Sequence, residues 1–204
     1  RHFVELYGYE PTRFYRAPGR VNLIGEHTDY NLGYVMPTAI DRDVVIASRP
    51  REDSVFRGAN VDNRRFEPFE FRINPSVASG PVGHWGNYAR GAAQRLAQAA
   101  GRPLLGMDAV FTGTQPYGTP MGVGLSSSTS LTVVSTLAIA HRNELAVQDQ
   151  YLAELASQAE WYVGTRGGVM DHFASVLGRG GHALFLDCMP EGPGRYHMEL
   201  IPLP

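Results

Sequence analysis

The chain has 204 residues, 43% of them hydrophobic and 19% charged, a globular composition with room for one sizeable core or two small ones. Its formal net charge of −2 leaves no excess of positive charge for a nucleic-acid surface. A single cysteine, Cys188, excludes an internal disulfide and a cysteine-rich zinc site, and fits a reducing, cytoplasmic setting. No apolar run approaches the roughly 20 residues that span a bilayer, and the first residues do not read as a signal peptide. A start at Arg1 and a finish at Ile201-Pro202-Leu203-Pro204 are expected of the N-terminal part of a longer enzyme.

In chain order, residues 14–24 read as mixed and turn-rich, punctuated by Pro18-Gly19. Residues 43–48 are β-branched and strand-like. Residues 66–73 alternate aromatic with polar side chains and predict a strand at a sheet edge. A Pro/Gly/Ser loop follows at 76–83. Residues 85–100 carry Tyr88, Ala92, Leu96 and Ala99 at helical spacing, with Gly101 as the C-cap. A strand at 107–112 runs toward a glycine-rich loop. A nearly apolar, hence buried, helix is expected at 128–143. A further helix at 148–163 presents Leu152, Leu155, Ala156, Ala159 and Val163 on one face. A short helix at 168–177 and a strand at 182–188 complete the set. Strands and helices mix without regular βαβ alternation, which gives an α+β fold class in one domain, 1–204.

The glycine-rich loop, Gly122-Val123-Gly124-Leu125-Ser126-Ser127-Ser128, opens the buried helix. Free backbone N–H groups and the positive end of the helix dipole at such a start attract phosphate. The alternative is a flexible loop whose serine caps the helix. The chain contains no lysine, all 18 of its basic residues being arginine, so a Walker A loop is excluded. A dinucleotide fingerprint is also disfavoured, because Ser127 stands where its third glycine belongs.

Other segments carry reactive side chains. Residues 19–31 pack Arg20, Glu26, His27, Thr28 and Asp29 into a glycine-punctuated stretch. Carboxylates and amides there suit sugar hydroxyls, and the guanidinium suits phosphate oxygens. The plain alternative is a solvated turn with Arg20 paired to Glu26 or Asp29. Glu160 lies at the edge of its helix's apolar stripe, where a carboxylate needs a partner, either Mg²⁺ or an arginine. Asp171 follows a glycine pair near a helix start, a position that favours its ionised form and suits a group that orients or deprotonates a hydroxyl. His172 beside it reads as a packed or capping histidine.

The order of these segments resembles one family. Gly19-Arg20-Val21-Asn22-Leu23-Ile24-Gly25-Glu26-His27-Thr28-Asp29-Tyr30-Asn31 is similar to the galactokinase signature. Residues 122–128 resemble the second motif of the GHMP kinases, and Gly168-Val169-Met170-Asp171, Trp85-Gly86-Asn87-Tyr88 and residues 181–188 resemble further galactokinase segments. The resemblance implies a ribosomal protein S5 domain 2-like fold and an ATP-dependent sugar kinase acting on the C1 hydroxyl of galactose. It implies that Glu26, His27, Thr28 and Asp29 bind the sugar, and that Arg20 and Asp171 are catalytic. It also implies that Gly122, Val123, Gly124, Leu125, Ser126, Ser127 and Ser128 wrap ATP, with Ser128 and Glu160 on Mg²⁺. It further implies a missing C-terminal half, without which this piece binds weakly and does not turn over, and no nucleic-acid or membrane partner. His172 stands where the family usually has glutamine. The spacing of 11 residues from Glu160 to Asp171, with Gly164-Thr165 between, is similar to the N-acetylgalactosamine kinase branch. A related sugar 1-kinase, acting on N-acetylgalactosamine or a uronic acid, and a non-catalytic galactose/ATP sensor are therefore the alternatives.

Overall fold

The computed structural model describes residues 1–113 and 118–204. Its elements run α1 (His2–Tyr7), β1 (Arg13–Asn22), β2 (Tyr34–Val35), β3 (Pro37–Pro50), β4 (Val55–Asn60), β5 (Phe69–Arg72), α2 (Gly86–Ala100) and β6 (Met107–Thr112). They continue with α3 (Ser127–Arg142), α4 (Asp149–Glu160), α5 (Met170–Leu177), β7 (His182–Gly192) and β8 (Arg195–Pro202). Among the described residues the strands form a five-stranded sheet ordered β1-β3-β6-β4-β5 and a three-stranded sheet ordered β2-β7-β8. The β4–β6 pair is parallel, and the other ladders are antiparallel.

Helices α2 and α3 lie over one face of the large sheet, and α4 packs on α2 and α3. Their small and aliphatic residues, Ala92, Leu96, Val134, Ile139 and Ala156, meet Ile46, Phe56, Phe71 and Phe111 from the strands. The approach of α2 to α4 is close enough that a side chain at Gly91 would overlap the Ala159 carbonyl. Helix α5 belongs partly to a second cluster, in which Met170 and Phe173 pack on Val35, Leu184, Leu186 and Tyr196 of the small sheet. Helix α5 thus bridges the two sheets, and its N-terminal end is fixed relative to both.

The expected strands at 43–48, 66–73, 107–112 and 182–188 and the expected helices all form, with Gly101 in the left-handed conformation at φ 64° as the cap of α2. The helix expected over 148–163 breaks at Glu160 into a 3₁₀ turn, Trp161–Val163, closed by Gly164 at φ 88°. The main difference lies at residues 14–24. This stretch is mostly the long strand β1, not a run of turns. Pro18 is tolerated because β1 lies at the sheet edge and its register with β3 shifts between Pro18 and Arg20. Gly19 occupies the bulge, and a Cβ there would overlap the carbonyl oxygen of Leu125. The Pro18 carbonyl accepts the hydroxyls of Ser130 at 2.9 Å and Ser175 at 2.8 Å, binding β1 to α3 and α5.

Cys188 lies in β7 at 2% exposure. Burial, then the negative charges of Asp29 and Asp187, push its thiol up to about 12. The folded value lies above that of the unfolded chain, so the protonated thiol stabilises the fold. That contribution is complete below the ordinary thiol range of about 8.5 and is lost as pH rises through about 12. Native protein at pH 8 should therefore resist iodoacetamide and become alkylated only on unfolding, as read by intact mass.

Candidate active site

Segments distant in sequence converge at the start of α3. Arg20 emerges from β1 immediately after the bulge and forks onto Asp171 of α5. Its Nε donates to Oδ1 at 2.6 Å and its Nη2 to Oδ2 at 2.6 Å. The side chains are 15% and 23% exposed, so this bidentate, charge-assisted pair is largely withdrawn from solvent. The remaining arm, Nη1, donates to the Gly124 carbonyl at 2.6 Å. Asp171 stands in the first turn of α5. Glu26 does not pair with Arg20. Its Oε1 accepts Asn22 Nδ2 at 3.2 Å.

Around Gly124 the backbone alternates into the left-handed region, with Gly122 at φ 72°, Gly124 at φ 77° and Ser126 at φ 58°. Ser126 precedes α3 without a side-chain cap bond. The loop therefore forms an open concavity at the positive end of a 16-residue helix. It is strapped to β1, where the Arg20 N–H donates to the Leu125 carbonyl at 3.3 Å.

Beside Ser127 and Ser128 opens a cavity of about 540 Å³ whose walls include Phe66, Trp85, Tyr88 and Phe111, with Asn60 and Asp62 at its polar side. Sequence reasoning did not find this pocket. Its signal was the Trp85-Gly86-Asn87-Tyr88 segment, read as a helix start and as one of the family-like segments, with no pocket assigned to it. Trp85 is held by its indole N–H, which donates to the Glu67 carbonyl at 2.7 Å.

Glu160 is buried, not at a stripe edge, with 8% exposure. One carboxylate oxygen lies 3.2 Å from His172 Nε2 and accepts the Thr132 hydroxyl at 3.3 Å. Burial raises its pKa, but His172 and the Thr129 and Thr132 hydroxyls outweigh that and hold the carboxyl below its ordinary range. His172 is itself buried, as a packed histidine should be. Tyr88 links this cluster to the loop. Burial and the Glu160 charge raise its phenol, while a hydrogen bond with Ser128 opposes them. Among the described residues no group of three or more His, Cys, Asp and Glu side chains converges on one point. Ser128 and Glu160, which both bear on Tyr88, offer a hydroxyl and a carboxylate oxygen. That set fits a Mg²⁺ whose other ligands are phosphate oxygens and water.

Glu26, His27, Thr28 and Asp29 lie on the loop between β1 and β2. The Thr28 hydroxyl faces the Gly25 carbonyl at 2.7 Å and the Tyr34 carbonyl at 2.8 Å, so it fastens its own loop. His27 Nδ1 lies 2.7 Å from the Tyr30 hydroxyl, and both side chains are exposed. Asp29 leans on Gly168 so closely that any side chain at 168 would overlap its carboxylate. The structure thus brings Asp29 to the segment that carries Asp171.

The family model described as the galactokinase galactose-binding signature matches residues 1–50, and that of the GHMP kinases N-terminal domain matches residues 87–179. The chain belongs to the GHMP kinase family. It is 40% identical over 91% of its length to a galactokinase of Chloroflexus aurantiacus and 41% identical over 91% to one of Chloroflexus aggregans. It spans about half the length of these relatives, 46% in each case. A crystal structure of Lactococcus lactis galactokinase complexed with galactose superposes with a TM-score of 0.85 at 30% identity, covering 98% of this chain and 50% of that one. Methanococcus jannaschii mevalonate kinase, at 16% identity, shares the fold with a TM-score of 0.71, over 94% of this chain and 56% of its own. Of the sequence-predicted residues, the structure joins Arg20, Gly124, Ser126 and Asp171 by direct hydrogen bonds and brings Asp29 against Gly168. No helix among the described residues is long and apolar enough to cross a membrane.

Because the Glu160 carboxyl is held low, it stabilises the fold above the ordinary carboxylate range of about 4.3, and that contribution is lost as pH falls through the lower folded value. Glu160→Gln should destabilise the protein by about 1–3 kcal/mol at pH 7. In urea titrations the gap between wild type and variant should close in acid.

Proposed function

We propose that this chain is the nucleotide- and sugar-binding N-terminal domain, residues 1–204, of a galactokinase. The enzyme transfers the γ-phosphoryl group of ATP to the C1 hydroxyl of galactose. A remaining half, of the length its relatives possess, completes the catalytic unit. The observation that carries the reading is the Arg20–Asp171 pair, which touches the glycine-rich loop through the Gly124 carbonyl and lies on the segment that Asp29 leans on. A pair in that position serves both reactants at once.

The residues divide by chemistry. Backbone N–H groups of Gly122, Val123, Gly124, Leu125, Ser126, Ser127 and Ser128, with the dipole of α3, cradle the ATP phosphates. The aromatic cavity beside Trp85 and Tyr88 takes the base. Ser128 and Glu160 would hold Mg²⁺, which when bound would neutralise phosphate charge. Glu26, His27 and Asp29 hold sugar hydroxyls, and Thr28 keeps their loop in shape. Asp171 accepts the proton of the C1 hydroxyl, or the hydrogen bond that aims it, as that oxygen bonds to phosphorus. Arg20 orients the Asp171 carboxylate and meets charge gathering on the transferring group. Positioning and charge stabilisation carry most of the rate in such a reaction.

Steady-state assays on the full-length protein test this reading against a panel of galactose, N-acetylgalactosamine and uronic acids. Galactose should be the substrate with the highest kcat/KM, and Asp171→Asn should lower kcat about 10²–10⁴-fold. A sensor would bind both ligands and transfer nothing. Gly168→Ala displaces Asp29 and should weaken galactose about 10–100-fold, the worth of a lost hydrogen bond to a charged group, with the ATP KM unchanged.

A further inference from the structure

We propose that Ser126 is a positioning residue for Asp171, its hydroxyl holding that carboxylate instead of serving the nucleotide's phosphates. The proposal rests on the kinase reading above. It separates Ser126 from its two neighbouring serines, with which the sequence grouped it.

A serine directly before a helix ordinarily accepts a hydrogen bond from the first turn. Ser126 makes no such bond. Its hydroxyl instead donates to Asp171 Oδ2, the oxygen that also takes Arg20 Nη2. An ionised carboxylate only accepts, so the serine spends its one proton there and has none for a phosphate oxygen. The backbone that allows this is unusual for a residue with a side chain, with φ 58° and ψ 43°. Surrounding contacts hold it in place. Its carbonyl accepts the Ser130 N–H at 2.9 Å and the Ser130 hydroxyl at 3.0 Å, and that hydroxyl also reaches Pro18. A left-handed serine kept by so many bonds marks a constrained side-chain direction.

Asp171 is consequently gripped from two sides. Arg20 reaches it from β1, and Ser126 reaches it from the phosphate loop. Arg20 in turn touches the same loop through the Gly124 carbonyl. The carboxylate plane and the loop conformation are therefore one mechanical unit. A loop correctly folded around nucleotide presents Asp171 to the sugar in a single orientation.

The test uses the full-length protein with Ser126→Gly and Ser126→Asn. Glycine keeps the left-handed backbone without strain and removes only the hydroxyl. Asparagine also tolerates that backbone and returns a donor. Ser126→Gly should lower kcat about tenfold or more with the ATP KM within about twofold of wild type, and Ser126→Asn should recover part of the loss. An ATP KM raised about tenfold at unchanged kcat would instead make the hydroxyl a phosphate ligand and overturn the proposal. So would a glycine variant equal to wild type. A double-mutant cycle of Ser126→Gly with Asp171→Asn on melting temperature reads the same contact without turnover. Non-additive shifts are expected, and additive ones overturn the contact. A wild type that transfers no phosphate while the cycle is non-additive counts against the kinase reading and leaves the Ser126–Asp171 contact standing.

Discussion

Arg20 and Asp171 are separated by 151 positions, and their meeting requires the whole described fold. Arg20 points inward only because β1 changes register at Gly19. Asp171 faces it only because α5 is clamped between two sheets, with Phe173 buried on one side and the Ser175 hydroxyl on the Pro18 carbonyl. The pair is partly shielded from water, so each charge depends on the other. Losing either leaves an uncompensated ion at the junction of β1, α5 and the glycine-rich loop. The fold is in this sense organised around keeping two opposite charges in contact where β1, α5 and the glycine-rich loop meet.

The absence of lysine shapes how phosphate is met. A Walker A site reaches the outer phosphates with an ammonium group on a flexible stem. Here the concavity is built from backbone, with left-handed residues at 122, 124 and 126 and a long helix behind them. The positive side chain nearest to it, Arg20, is already committed to Asp171 and to the Gly124 carbonyl. Attraction for phosphate then comes mainly from aligned dipoles, and the guanidinium is held ready at the seam between the two ligand regions.

Much of this was legible in the sequence, for physical reasons that differ by segment. The helices announced themselves through apolar spacing, and Gly101 and Gly164 marked ends because left-handed caps favour glycine. The glycine-rich loop and the 19–31 cluster were visible because their composition is improbable for packing alone. Residues 14–24 were misread because Pro18-Gly19 signals a turn locally, whereas a sheet edge absorbs both residues in a bulge. The short strand Val55–Asn60 went unseen because Gly58 interrupts it and its buried residues do not alternate with exposed ones. Glu160 was placed at a rim because periodicity counts residues and does not see His172 arriving from another helix. The aromatic cavity stayed hidden because its walls come from three strands, the loops between elements and two helix starts. The direction of the Ser126 hydroxyl depends on a single dihedral that composition does not encode.

The bulge in β1 has an evolutionary corollary. A strand alternates its side chains between faces, so one residue inserted or removed between Arg13 and Gly19 would have to be absorbed there or would turn Arg20 away from α5. The ladder with β3 could re-form one step along, turning Ala17 out of the core while the part built on β3 to β6 stays in place. Single-residue length changes in this strand are thus a route by which a descendant could keep the scaffold and lose the chemistry, whereas paired changes would leave both intact.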